Sequence, residues 1–149
     1  MRVLVVEDEP LIAASIEWEL RDAGYEVIGP AADAVHAAAL ARAERPDLAL
    51  VDINLTCRGD GVALARGFRR LGIASIFVSG QVLEARENRD AALGLVAKPF
   101  CVEHLPAVVR CAAVVLAGGW PAVIPPALEL FSRAPPARAA RPVAYAAGR

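Results

Sequence analysis

Five side chains in this 149-residue sequence are of types that act together on an anionic substrate: Glu7, Asp8, Asp52, Ser79 and Lys98. Each sits at the end of a short apolar run. Lys98 is the only lysine among sixteen Lys and Arg residues. A chain that otherwise uses arginine has here a compact ammonium in place of a planar fork; the competing reading is chance in an Arg-rich composition. Three carboxylates meeting at one point repel one another unless a cation lies between them. Hard oxygen donors with open positions suit Mg²⁺, which keeps several waters and favours carboxylates together with a phosphate. On this reading Asp52 is a nucleophile that takes a phosphoryl group as an acyl phosphate. Lys98 neutralises one phosphoryl oxygen, the Ser79 hydroxyl hydrogen-bonds another, and Asn54 offers its backbone carbonyl to the metal.

These residues need elements that bring them to one place. Arg2 to Val6 reads as a buried strand ending at Glu7-Asp8-Glu9. Pro10 opens a helix carrying Leu11, Ile12, Ile16 and Leu20, which Gly24 stops. Tyr25 to Gly29 is a second strand, placed nearer an edge by its alternation. Asp33 is the expected N-cap of an Ala-rich helix running to about Glu44. Leu48 to Val51 is a third strand, followed by Asp52 and a polar loop from Asn54 to Asp60. A helix over about Gly61 to Arg70 comes next, then a strand from Ile73 to Val78 ending at Ser79-Gly80. A short helix over Val82 to Asp90, a strand over Leu93 to Ala97 and a helix over Val102 to Leu116 complete the pattern. Pro106 is expected to cost one hydrogen bond or delay that last helix. Five strands alternating with five helices through short links imply a doubly wound α/β fold, with a parallel sheet covered on both faces. In such sheets the chemistry lies at the carboxyl ends of the strands.

Composition excludes several classes. The net charge of −1 gives no general bias towards nucleic acid. No apolar run approaches the roughly 18 residues of a membrane span. The N-terminal stretch turns acidic too early for a secretion signal. Cys57, Cys101 and Cys111 are an odd set without metal spacing, as expected of reduced thiols in a cytoplasmic protein. Residues 1–118 form the expected domain. Residues 119–149 form a C-terminal extension with no independent domain. It holds six of the eleven prolines, and its four arginines against Glu129 make it +3. From Ala134 onward its composition is that of a disordered segment. From Trp120 to Phe131 it is apolar enough to dock on its own domain or on another chain.

Over about residues 1–117 the sequence resembles the receiver domain of two-component response regulators. The resemblance rests on Val5-Val6-Glu7-Asp8-Glu9-Pro10, on Asp52 before Ile53-Asn54-Leu55, on Ser79-Gly80, and on Lys98-Pro99-Phe100. It implies a CheY-like fold with a five-stranded parallel sheet in the order 2-1-3-4-5. It implies phosphotransfer to Asp52 from a histidine kinase or phosphotransfer protein, with Mg²⁺ at Glu7, Asp8, Asp52 and the Asn54 carbonyl. Signalling would then run through protein–protein contact, or the chain would serve as a phosphate sink, as a monomer or homodimer without direct DNA binding. Two features depart from the family pattern. Leu95 stands where most receivers have a switch aromatic, so the usual relay from the site is missing. Ser79 replaces the usual threonine, in a Phe77-Val78-Ser79-Gly80 stretch that looks like a single-domain subset.

Two rival readings stand beside this one. Asp52-Ile53-Asn54-Leu55-Thr56 echoes the Asp-x-Asp-x-Thr of haloacid-dehalogenase phosphatases, but Asn54 stands where that chemistry needs a second acid. A vestigial receiver acting only as an interaction module is the other. Glu9 reads as a first-turn helix acid rather than a ligand, and His36 and His104 as surface or packing residues. Asn54 and Gln81 flank the phosphoryl position. Arg66, Arg69 and Arg70 read as a solvated basic face.

Overall fold

The computed structural model describes residues 1–55 and 59–131. Cys57 and the Pro- and Arg-rich end from residue 132 lie outside the described residues, as do the expectations placed on them. The strands form because their side chains are apolar on both sides of the pleat. Val3 and Val5 of β1 (Arg2–Val6) enter one core layer, and Leu4 and Val6 enter the other. β3 (Leu48–Val51) does the same with Leu48 and Leu50 against Ala49 and Val51. Such continuous apolar runs belong in parallel sheets covered on both faces.

The cover is helical. α1 (Pro10–Asp22) and α5 (Leu105–Leu116) supply Ile16, Leu20, Leu105, Val108, Val109 and Val115 to the first layer. α2 (Ala34–Glu44) and α3 (Gly61–Arg70) supply Ala37, Ala41, Val62, Ala65 and Phe68 to the second. α4 (Val82–Glu87) adds Ala85 there. Local signals set the helix starts. The Asp33 carboxylate accepts the His36 N–H at 2.8 Å, and Asp60 accepts from Val62 and Ala63 at the start of α3. Pro106 sits in the first turn of α5, after a 3₁₀ turn over Val102–His104, so the α-helix starts later than Val102. α4 stops at Glu87, short of the expected Asp90, and the Asn88 N–H bonds back to Glu84 and Ala85.

The parallel strands stand in the order β2-β1-β3-β6-β7, with β2 spanning Glu26–Ala31, β6 Ala74–Ser79 and β7 Gly94–Ala97. β2 is the edge, as its alternation suggested. Three short strands add to the expected five. The loop after Asp52 holds a two-stranded antiparallel ribbon, β4 (Asn54–Leu55) with β5 (Gly59–Asp60). The extension also docks on its own domain: β8 (Leu128–Leu130) pairs antiparallel with β7 as a sixth strand. The basic face of α3 is partly engaged, because Arg66 pairs with Asp90 and Asn88, and Arg69 donates to the Asp90 carbonyl.

Hydrogen bonds continue the ladder past the strand ends. The Asp52 N–H donates to the Val6 carbonyl at 2.9 Å, and the Lys98 N–H to the Ser79 carbonyl at 3.0 Å. They place Asp52 beside the start of Glu7-Asp8, and Lys98 beside Ser79. Gly61 closes this corner: its N–H donates to the Ile53 carbonyl at 3.1 Å, and a Cβ there would lie 2.1 Å from the Asp52 carbonyl oxygen. The contact is with backbone, so nothing flexible yields. Gly61→Ala is therefore expected to destabilise the fold by about 1–3 kcal/mol, seen as a lower denaturation midpoint, and to perturb Asp52 and Asn54 amide signals before those of β2.

Candidate functional site

Asp52 is the hub. Its carboxylate is buried, 5% exposed, and all the contacts that hold it come from different elements. Oδ1 accepts the Ser79 hydroxyl at 2.8 Å and the Asn54 N–H at 3.0 Å. Oδ2 accepts the Lys98 ammonium at 2.8 Å. The same ammonium donates to Glu7 Oε2 at 2.7 Å. Glu7, 3% exposed, accepts the Glu9 N–H on Oε1 at 3.1 Å. The five expected side chains thus converge, with Asp8 half-buried beside them. Asn54 contributes a backbone donor that the sequence did not single out. Its side chain is exposed, and it lines the same cleft as Asp52, Ser79, Gln81 and Lys98, of about 330 Å³. Glu9 also lines this cleft, while its N–H serves Glu7. His36 lies in the first turn of α2 and His104 in the 3₁₀ turn before α5; neither lines the cleft.

The electrostatics follow from crowding. Burial pushes the Glu7 carboxyl above its ordinary range, and the hydrogen bonds from Lys98 and the Glu9 N–H recover only part of this. For Lys98 burial works downward, but the hydrogen bonds to Asp52 and Glu7 outweigh it and hold the ammonium above its ordinary value. One cation therefore serves two buried anions with a third at hand. Glu7, Asp8 and Asp52 each offer a carboxylate oxygen, all within 4.8 Å of one another. That donor set is all hard oxygen, anionic, and open to a cleft on one side, which fits Mg²⁺. Ser79 also accepts the Gln81 N–H on Oγ at 3.3 Å, so the start of α4 is tied to the hydroxyl.

A second depression adjoins the first. Leu11, Ile12 and Ile16 of α1 face Pro99, Phe100 and Val102 across an open groove of about 580 Å³ that reaches Lys98. Leu11 is 85% exposed, a large apolar side chain in solvent at the lip of the site. Helical spacing had marked it as apolar but not as outward-facing.

Residues 3–110 match the family of the response regulator receiver domain. The chain belongs to that family. The transcriptional regulatory protein PdtaR of Mycobacterium tuberculosis is 37% identical over 108 residues, covering 70% of this chain and 52% of that protein. The virulence transcriptional regulatory protein PhoP of Shigella flexneri is 35% identical over 113 residues, covering 70% of this chain and 48% of PhoP. The chain thus spans about half the length of these regulators. Among solved structures, the receiver domain of NtrX from Brucella abortus aligns with a TM-score of 0.67 at 30% identity, covering 72% of this chain and 94% of that one. A CheY-like receiver domain from Methanospirillum hungatei aligns with a TM-score of 0.65 at 28% identity, covering 73% and 90%. Receiver domains are phosphoacceptors of two-component signalling. Among the described residues, no helix is long and apolar enough to cross a membrane.

Ionised Glu7 is a cost in the metal-free fold. Its raised pKa means that the fold prefers it protonated; that preference acts in full below the unfolded carboxylate range and is lost as pH rises through the folded value. Glu7→Gln keeps an acceptor for Lys98 without the charge. In a chelator at neutral pH this variant is expected to melt at a higher temperature than the parent, and the gap should close as pH falls. Its Mg²⁺ affinity, read by titration, should drop by about tenfold or more.

Proposed function

We propose that this chain accepts a phosphoryl group on Asp52 from a histidine kinase or phosphotransfer protein, and that its phosphorylated form is read by another protein or drained as a phosphate sink. The observation that carries this reading is the set of contacts on one buried carboxylate: Ser79 and the Asn54 N–H on Oδ1, Lys98 on Oδ2, with Glu7 and Asp8 alongside. An Asp52 oxygen forms the new O–P bond as the P–N bond of a phosphoimidazole breaks. The imidazole leaves with the electron pair and is protonated by solvent. Lys98 then has a phosphoryl oxygen to neutralise, and the Ser79 hydroxyl turns from the carboxylate to another. Glu7, Asp8, Asp52 and the Asn54 carbonyl are the groups we assign to Mg²⁺, which when bound supplies the positive charge that lets carboxylates and phosphoryl oxygens share the site. Hydrolysis of the acyl phosphate returns Asp52, with the exposed Asn54 and Gln81 bordering the approach of water.

The phosphatase reading loses ground here. Its second acid is absent, because Asn54 stands at that position, and Asp52 follows the third strand rather than the first. A vestigial site is disfavoured by the completeness of the contacts.

Labelling by a small acyl or amido phosphate in Mg²⁺, followed by intact-mass measurement, tests the acceptor. The parent should gain one phosphoryl group and Asp52→Ala none; equal labelling of the two would sink the assignment.

The apolar groove beside Lys98 supports a donor that docks along α1. Leu11→Arg is expected to slow transfer from a phosphorylated donor protein about tenfold, while labelling by the small phosphodonor stays at the parental rate. Equal slowing of both would mean that Leu11 acts on the site rather than on docking.

A further inference from the structure

Leu128–Leu130 of the extension is built into the sheet beside β7, the strand that Lys98 follows. β8 pairs with β7 in the register Gly94 with Leu130, Leu95 with Glu129, and Val96 with Leu128. The fit is specific to glycine: a Cβ on Gly94 would stand 2.4 Å from the Glu129 carbonyl oxygen. Side chains of a strand alternate between faces, and β8 uses both. Leu128 and Leu130 join the layer of α1 and α5, while Phe131 packs into the other layer, which holds Phe77, Ala85 and Leu95. Glu129 lies on that second face and takes Arg86 of α4 through both carboxylate oxygens, at 2.9 and 3.1 Å. Phe131 closes the strand by donating its N–H to the Leu93 carbonyl at 2.8 Å.

α4 is thereby held at both ends. At its start the Gln81 N–H donates to Ser79 Oγ, whose hydroxyl donates to Asp52 Oδ1. Near its end Arg86 grips Glu129. The helix has only six residues, so a shift at one end is felt at the other. On β7 the residue opposite Glu129 is Leu95, which offers no polar group to report on the site.

We propose that Leu128–Phe131 is an intramolecular clamp on α4, set for the unphosphorylated site and loosened when Asp52 carries a phosphoryl group; the proposal rests on Asp52 being the acceptor. A phosphoryl oxygen draws the Ser79 hydroxyl away from Oδ1, moves the Ser79–Gln81 corner, and carries α4 against the Arg86–Glu129 pair. Both partners of that pair are about half exposed, at 51% and 42%. It is weak enough to be outweighed, and its effect on the equilibrium is a small factor rather than a lock. Coupling between sites is reciprocal. If phosphorylation loosens the clamp, breaking the clamp favours the phosphoryl-bound state.

The test uses the full chain with Mg²⁺ and beryllium fluoride, a phosphoryl analogue, titrated by NMR, with Asp52→Asn as the blank. In the parent, the exchange rate of the Phe131 amide should rise on binding, and in Asp52→Asn it should not. Glu129→Gln and Arg86→Gln should each bind the analogue about two- to fivefold more tightly, and the swapped pair R86E with E129R should return towards the parental value. Gly94→Ala, which pushes β8 off its register, should tighten binding at least as much, with the Val3, Leu50 and Ile76 amides still protected as evidence of an intact sheet. Unchanged affinity in both single variants, or a Phe131 amide indifferent to the analogue, would overturn the clamp while leaving the acceptor standing. Absence of Asp52-dependent binding in the parent would overturn both.

Discussion

One ammonium between two buried carboxylates is the constraint on which this site depends. Lys98 bonds Asp52 and Glu7 at once, at 2.8 and 2.7 Å. Removing charges from water costs several kcal/mol per ion, and only good geometry with further hydrogen bonds offsets that cost. The geometry is good because no partner is free to choose its position. Lys98 follows β7, Asp52 follows β3 and Glu7 follows β1, and each strand end is pinned to its neighbour by the continued ladder. A guanidinium would be a poorer choice, since its planar fork suits one carboxylate held side-on rather than two approaching from different strands. The fold therefore needs rigid strands beneath mobile chemistry, and layers buried on both faces provide them.

The same crowding leaves the site short of positive charge. Lys98 serves Asp52 and Glu7 with Asp8 close by, and burial, with a smaller part from the Asp52 charge, holds the Glu7 carboxyl above its ordinary range. A site in this condition favours whatever brings cation charge to it. The hydrogen bonds on Oδ1 orient the Asp52 carboxylate without neutralising it, because the Ser79 hydroxyl and the Asn54 N–H carry no formal charge.

Much of this was legible in the sequence because the informative residues interrupt apolar runs. An acid, a serine and a lysine at the ends of runs buried on both faces have few alternatives to meeting at one sheet edge. Asp33 and Pro10 marked helix starts by local chemistry, which needs no knowledge of the fold. What escaped depended on pairing across distance. β8 is three residues long and follows two prolines, so its Leu-Glu-Leu alternation is too short to read as a strand, and only the free edge of β7 makes it one. Arg86 and Glu129 are 43 residues apart and look like ordinary surface charges until the sheet brings them together. Arg66 read as solvated for the same reason: its partners Asn88 and Asp90 lie beyond the next strand. Gly61 and Gly94 each answer a close approach by backbone that no local pattern announces.

The placement of β8 also resolves a difficulty that a parallel sheet leaves at its last strand. Without a neighbour, β7 would expose unpaired N–H and C=O groups beside the residue that carries the lysine, and such an edge invites pairing with other chains. A helix could cover the faces but not that edge. A short antiparallel strand covers it and, being only three residues long, offers little of a new edge itself. At the opposite side, β2 ends the sheet with Pro30 in the strand, which lacks a ladder donor and so discourages addition there. The two ends are therefore closed by different means. The β7 edge, next to Lys98, is closed by a segment tied to α4 through Arg86 and Glu129, and the β2 edge by a residue within the strand itself.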